Sequence, residues 1–140
     1  MSAAFLPLIA LLGITTPADL ATAARAGIPQ DGYASRYDPG VLEGVVGLRW
    51  QNDWWRVTPP ADWYTVSGYA ATTDCGEVGA VVEMRPVGSD RWERILVADC
   101  AGRDSHWWML DNRIAAELDY ETFTRWAAAY GVPLAIEVRR

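Results

Sequence analysis

RIAAELDYETFTRWAAAYGVPLAIEV, residues 113–138, changes its apolar period twice, and that change decides the fold. From Arg113 to Leu118 the pattern alternates. Ile114, Ala116 and Leu118 share one face and Arg113, Ala115 and Glu117 the other, the two-residue period of a half-buried strand. Asp119 then stands where a helix N-cap belongs, with Glu121 in the first turn. Phe123, Trp126, Ala127 and Tyr130 recur at i, i+3, i+4 and i+7, the apolar stripe of a helix. Gly131 and Pro133 end it, and Leu134 to Val138 alternate strictly again. The segment reads strand, helix, strand.

Upstream, short strands accumulate. Trp92 to Cys100 contains Ile95-Leu96-Val97-Ala98, apolar on both faces, as expected of a central strand covered on both sides. Ala80 to Arg85 places Val82 and Met84 on one face and Glu83 and Arg85 on the other. A turn from Pro86 to Asp90 separates the two. Tyr33 to Tyr37 alternates and stops at Asp38-Pro39-Gly40, a turn sequence. Between Val41 and Thr65, Trp50, Trp54, Trp55 and Trp63 lie among Asn52, Asp53, Pro59, Pro60 and Asp62. That stretch reads as a strand followed by a long loop.

At 140 residues with a 51% hydrophobic share, the chain has the size and apolar content of one domain. Its 12 basic residues, all arginine, face 18 acidic ones, for a net charge of −6. Without a basic run there is no footprint for phosphates, so no nucleic-acid partner is expected. Eight Trp, six Tyr and two Phe are a large aromatic share, suited to a crowded core or to carbohydrate. The apolar run from Ser2 to Ile14 is shorter than the roughly 20 residues that span a bilayer. It reads as a signal-peptide core, with small-x-small sites at Ala21-Thr22-Ala23 and Ala24-Arg25-Ala26 consistent with cleavage before Gly27. The alternative is an N-terminal helix packed on the domain. The expected division is a leader over residues 1–26 and one domain over 27–140, secreted or periplasmic, with no membrane anchor once the leader is gone.

Cys75 and Cys100 are the only cysteines. They suit one intramolecular bridge in an exported protein, worth about 3 kcal/mol by chain entropy, or else a pair of reduced core thiols. With no C-x-x-C and His106 as the single histidine, no metal site is expected. No cofactor is expected either, since no Gly-rich phosphate cradle is present.

Particular motifs in this order resemble the double-psi β-barrel of the rare lipoprotein A and barwin/expansin group. Gly32-Tyr33-Ala34-Ser35-Arg36-Tyr37 is similar to the opening G-x-A-S-x-Y. Leu96 to Arg103 resembles the strand that ends on the acidic residue of the family. Ile114 to Asp119 resembles the strand closing on Asp-Leu-Ser. The resemblance covers about Gly32 to Val138. It implies a mainly β fold, a small closed barrel of about six strands with one helix before the last. It also implies action on cell-wall polysaccharide, either lytic transglycosylase-like cleavage of peptidoglycan glycan strands or loosening without hydrolysis.

By the same resemblance Asp99 and Asp119 face one groove, with Asp99 as acid/base and its apolar strand neighbours raising its proton affinity. The plainer roles are a strand-end carboxylate for Asp99 and a helix cap for Asp119. Tyr37 and Asp38 are expected to line the groove, although Asp38 before Pro39-Gly40 is also a turn former. Trp107 and Trp108 cannot both point inward if extended, so one is exposed or in a groove, where it suits stacking on sugar rings, the alternative being a core residue; His106, in the connection between two strands, is either a site residue or a plain loop histidine. Thr73 stands where transglycosylase-type members carry a histidine, and Glu121 where they carry the serine. Thr73 cannot handle that proton, which moves weight toward a non-catalytic wall-binding module, or a structural one, on the same barrel. The partner expected is a cell-wall polysaccharide and the state a monomer.

Overall fold

The computed structural model describes residues 30–140; the expected leader and its cleavage site lie outside them. Six strands run through the domain: β1 (Gln30–Arg36), β2 (Gly68–Thr72), β3 (Val81–Pro86), β4 (Glu93–Cys100), β5 (Ile114–Leu118) and β6 (Leu134–Arg139). Three helices interrupt them: α1 (Val41–Asn52), α2 (Arg103–Asp111) and α3 (Tyr120–Tyr130). Short 3-10 turns cover Trp63–Thr65 and Cys75–Glu77. Among the described residues no helix is long and apolar enough to cross a membrane.

The strands close into a barrel in the order β1, β5, β2, β4, β3, β6. β1 runs parallel to β5 and β2 parallel to β4, while the remaining neighbours are antiparallel. Closure leaves no free sheet edge. Inward side chains from all six strands, among them Ala34, Ala70, Met84, Val97, Leu118 and Ile136, fill the interior, and Trp126 of α3 joins them. The double-faced apolar run of β4 is explained by a second core. Ile95 and Val97 enter the barrel, while Leu96 and Ala98 face outward beneath Leu42 and Val46 of α1. All four strand residues are fully buried.

The strand, helix, strand reading of residues 113–138 holds. Asp119 caps α3, its side chain accepting from Thr122 N–H, and Gly131 closes the helix. The Cys75–Cys100 disulfide is formed. Two glycines are required where they stand. A Cβ on Gly68 would lie 2.6 Å from Asp119 Oδ1, and Gly79 combines a φ of +109° with a Val57 carbonyl that any Cβ there would strike.

Three local readings are corrected. Val41 to Asn52 is helix, not strand. Leu42 and Val46, four apart, bury one side of α1 on β4, whereas Val41, Leu48 and Trp50 stay exposed, so the sequence shows no clean stripe. Its glycines and β-branched valines are poor helix formers, and tertiary packing overrides them. Ser105 to Trp108 lies in helix α2, not an extended loop; Met109 is the side chain that helix buries, and Trp107 and Trp108 are both exposed. β2 escaped the sequence reading because Gly68 to Thr72, flanked on both sides by other strands, is almost wholly buried and shows no alternation.

Candidate active site

Asp99 sits one residue from the end of β4, where the register places it beside Ala71 of β2. On the other flank of Ala71 lies Glu117 of β5. Two carboxyl groups from different strands are thus carried around one small side chain. Glu117 in turn is opposite Ser35 of β1, and Tyr37 follows β1 directly. Four segments of the barrel wall therefore meet here.

Each oxygen of Asp99 has a partner. Arg49 Nη2, reaching down from α1, lies 2.9 Å from Oδ1 in an ion pair, and the Tyr37 hydroxyl donates to Oδ2 at 3.3 Å. The same guanidinium is fixed by two backbone carbonyls. Its Nε donates to Ala98 O at 2.5 Å and its Nη1 to Trp54 O at 2.7 Å. An arginine with its fork filled in this way is a rigid partner, and it holds the Asp99 side chain in place.

Glu117 is in the contrasting situation. Partial burial raises its pKa, the Ser35 hydroxyl opposes that rise, and the negative charge of Asp99 adds to it. No well-aligned hydrogen bond satisfies Ser35 Oγ, which is buried beside it. Burial, then the charges of Asp99 and Glu117, also push the Tyr37 phenol well up, so it stays protonated and donating. The cluster is an ion-paired carboxyl group, a second carboxyl group biased toward holding its proton, and a phenol that donates to the first. A carboxyl group whose proton affinity is raised beside a fixed hydrogen-bonded neighbour is an arrangement that acid catalysis uses.

The other expected residues are placed elsewhere. Asp119 is 4% exposed, and both its oxygens are taken, Oδ1 by Tyr69 N–H at 2.9 Å and Oδ2 by Thr122 N–H at 3.0 Å. Its geometry is that of a helix cap that also ties α3 to β2. Asp38 is exposed in the turn after β1, within 3.7 Å of Arg36. His106 is half-buried on α2 with its ring edge-on to Trp107 at 5.5 Å. Thr73 follows β2, and the neighbouring Thr72 hydroxyl donates to Glu77 at 2.6 Å beside the disulfide. Among the described residues no group of three or more His, Cys, Asp or Glu side chains is set to hold a metal ion.

The sequence reading missed Glu117 and Arg49. Alternation put Glu117 on the outward face of its strand, which is correct, but nothing local marked that face as part of a site. Arg49 lay in a segment read as strand, where its reach across to β4 had no signal at all. Comparisons with protein-family models, with curated proteins and with solved structures return no match.

Proposed function

We propose that this is an exported domain that binds cell-wall polysaccharide and cleaves its glycan strands, with Glu117 and Asp99 as the working pair. The observation that carries the reading is the two carboxyl groups flanking Ala71, one ion-paired and one with a raised pKa. Glycosidic cleavage needs a carboxylic acid to protonate the leaving oxygen and a negative charge to steady the oxocarbenium-like centre. Glu117 fits the first role and Asp99 the second, an exchange of the acid role first assigned to Asp99. In a transglycosylase-like step the Glu117 proton passes to the glycosidic oxygen as that C–O bond breaks. The sugar's own 6-hydroxyl then bonds to the anomeric carbon, and its proton returns to the Glu117 carboxylate. The double-psi resemblance and the disulfide agree with this reading.

A non-catalytic binding module on the same barrel is the second reading. The filled Arg49 fork against Asp99 and the threonine at position 73 favour it. Incubation with insoluble peptidoglycan separates the two. The catalytic reading predicts soluble fragments with anhydro ends, reduced at least about 100-fold by Asp99→Asn, a loss of the size expected for a charge-stabilising group. Sedimentation with the wall and no soluble product would leave binding alone, and neither behaviour would sink both.

A further inference from the structure

We propose that Trp50, Trp54, Trp63 and Tyr64 form a sugar-stacking shelf for a neutral pyranose chain, continuous with the carboxylate site through Arg49. The inference rests on the glycan reading above and names where the chain outside the reacting bond lies. It also moves the platform from Trp107 and Trp108 on α2 to the segment between α1 and β2.

The rings form a row with support behind them. Trp50 meets Trp63 at 5.1 Å, and Trp63 meets Tyr64 edge-on at 6.4 Å. Trp55, packed into both cores, braces Trp50 at 5.3 Å. In front of that support Tyr64 is 72% exposed and Trp50 is also at the surface, while Trp54, 58% exposed, is tied to the near end through its backbone and Arg49 and makes no ring contact with the row. A single exposed aromatic needs no explanation, but exposed Trp50 and Tyr64 joined through a half-buried Trp63, with exposed Trp54 in the same segment, mark an interaction surface. Aromatic rings combine apolar faces with polar edges, which matches the faces and hydroxyl rim of a pyranose.

The charge around the shelf selects among partners. Its rim is Asn52, Asp53 and Asp62, all exposed, and the chain is acidic overall. Arg94 pairs with Asp62 and Arg49 is spent on Asp99 and two carbonyls, which leaves the exposed Arg56 as one cation in the segment against Asp53 and Asp62. A lone arginine in an acidic chain is no basic cluster for phosphates or anionic lipid surfaces, while amides and carboxylates accept from neutral hydroxyls and amides donate to them. Continuity is covalent and hydrogen-bonded. Trp54 N–H donates to the Arg49 carbonyl at 3.0 Å while Arg49 Nη1 returns a bond to the Trp54 carbonyl, and the same side chain holds Asp99. One residue thus fixes the near end of the shelf against the site.

The test is calorimetric titration of the protein with soluble β-1,4-linked N-acetylglucosamine oligosaccharides, alongside Trp54→Ala, Tyr64→Ala and Trp107→Ala. The first two replace exposed rings, and circular dichroism checks that they remain folded. Each is expected to weaken binding about tenfold, with Trp107→Ala near wild type. Wild-type binding that survives both shelf variants, or is lost only in Trp107→Ala, overturns the shelf and leaves the glycan reading standing. No binding of any neutral oligosaccharide by wild type, or binding only of a cationic peptide run in parallel, also overturns the shelf, and the glycan reading itself falls only if insoluble peptidoglycan is neither bound nor cut.

Discussion

Two carboxyl groups two residues apart on the same stretch, Glu117 and Asp119, have opposite fates, and their hydrogen bonds explain why. Asp119 is consumed by two backbone N–H groups, so Asp119→Ala removes a cap and leaves the Tyr69 amide without its carboxylate partner. A loss of about 2 to 4 kcal/mol is expected in urea denaturation, the sum of the two effects. Glu117 has no such partners. Because its folded-state pKa is raised above the ordinary 4.5, the folded protein holds that proton more tightly than the unfolded chain. The stabilisation is full below 4.5 and is lost as pH rises through the raised value. Glu117→Gln should therefore be more stable than wild type at neutral pH and show a flatter stability profile above 4.5. Carboxyl carbon NMR reads the cause directly, since the Glu117 titration midpoint should fall toward its ordinary value in Asp99→Asn. An unchanged midpoint would remove Asp99 from the electrostatics of the site.

At the level of elements, what the sequence discloses depends on whether a segment's burial is one-sided. β3, β5 and α3 each bury one face or stripe, and β6 does so apart from the buried Glu137, so their periods can be read from residues alone. β2 is buried all round and α1 leaves apolar residues on its outer side, so neither carries a usable period. Arg49 was hidden for the same reason, because its helix was. The helical assignment of α1 has its own test. Gly44 and Gly47 have open space where a Cβ would stand and no positive φ, so alanine should fit at both. Each substitution is expected to add about 0.5 to 1 kcal/mol, measured by thermal or urea unfolding, whereas a strand or loop there would gain nothing of the kind.

For the whole molecule, the disulfide and the barrel act on the same place. Cys100 follows Asp99 directly, and its partner Cys75 lies in the turn after β2, the strand between Asp99 and Glu117. The bridge fixes the β4 end of the site to its β2 flank. Reduction should lower stability by about 3 kcal/mol, seen as a reduced urea midpoint with dithiothreitol. Closure, disulfide and the last helix were legible in alternation, cysteine count and the motif resemblance. The pairing of Asp99 with Glu117 was not, because it depends on a parallel register between β2 and β4 and an antiparallel one between β2 and β5, which no local pattern encodes. That pairing is also where the function stands or falls. The most direct measurement is mass-spectrometric detection of soluble anhydro-ended fragments from isolated peptidoglycan treated with wild type and with Glu117→Gln. The account predicts release by wild type and a loss of at least about 100-fold in the variant, since a positioned general acid contributes on that order. Equal release by the two proteins would contradict it.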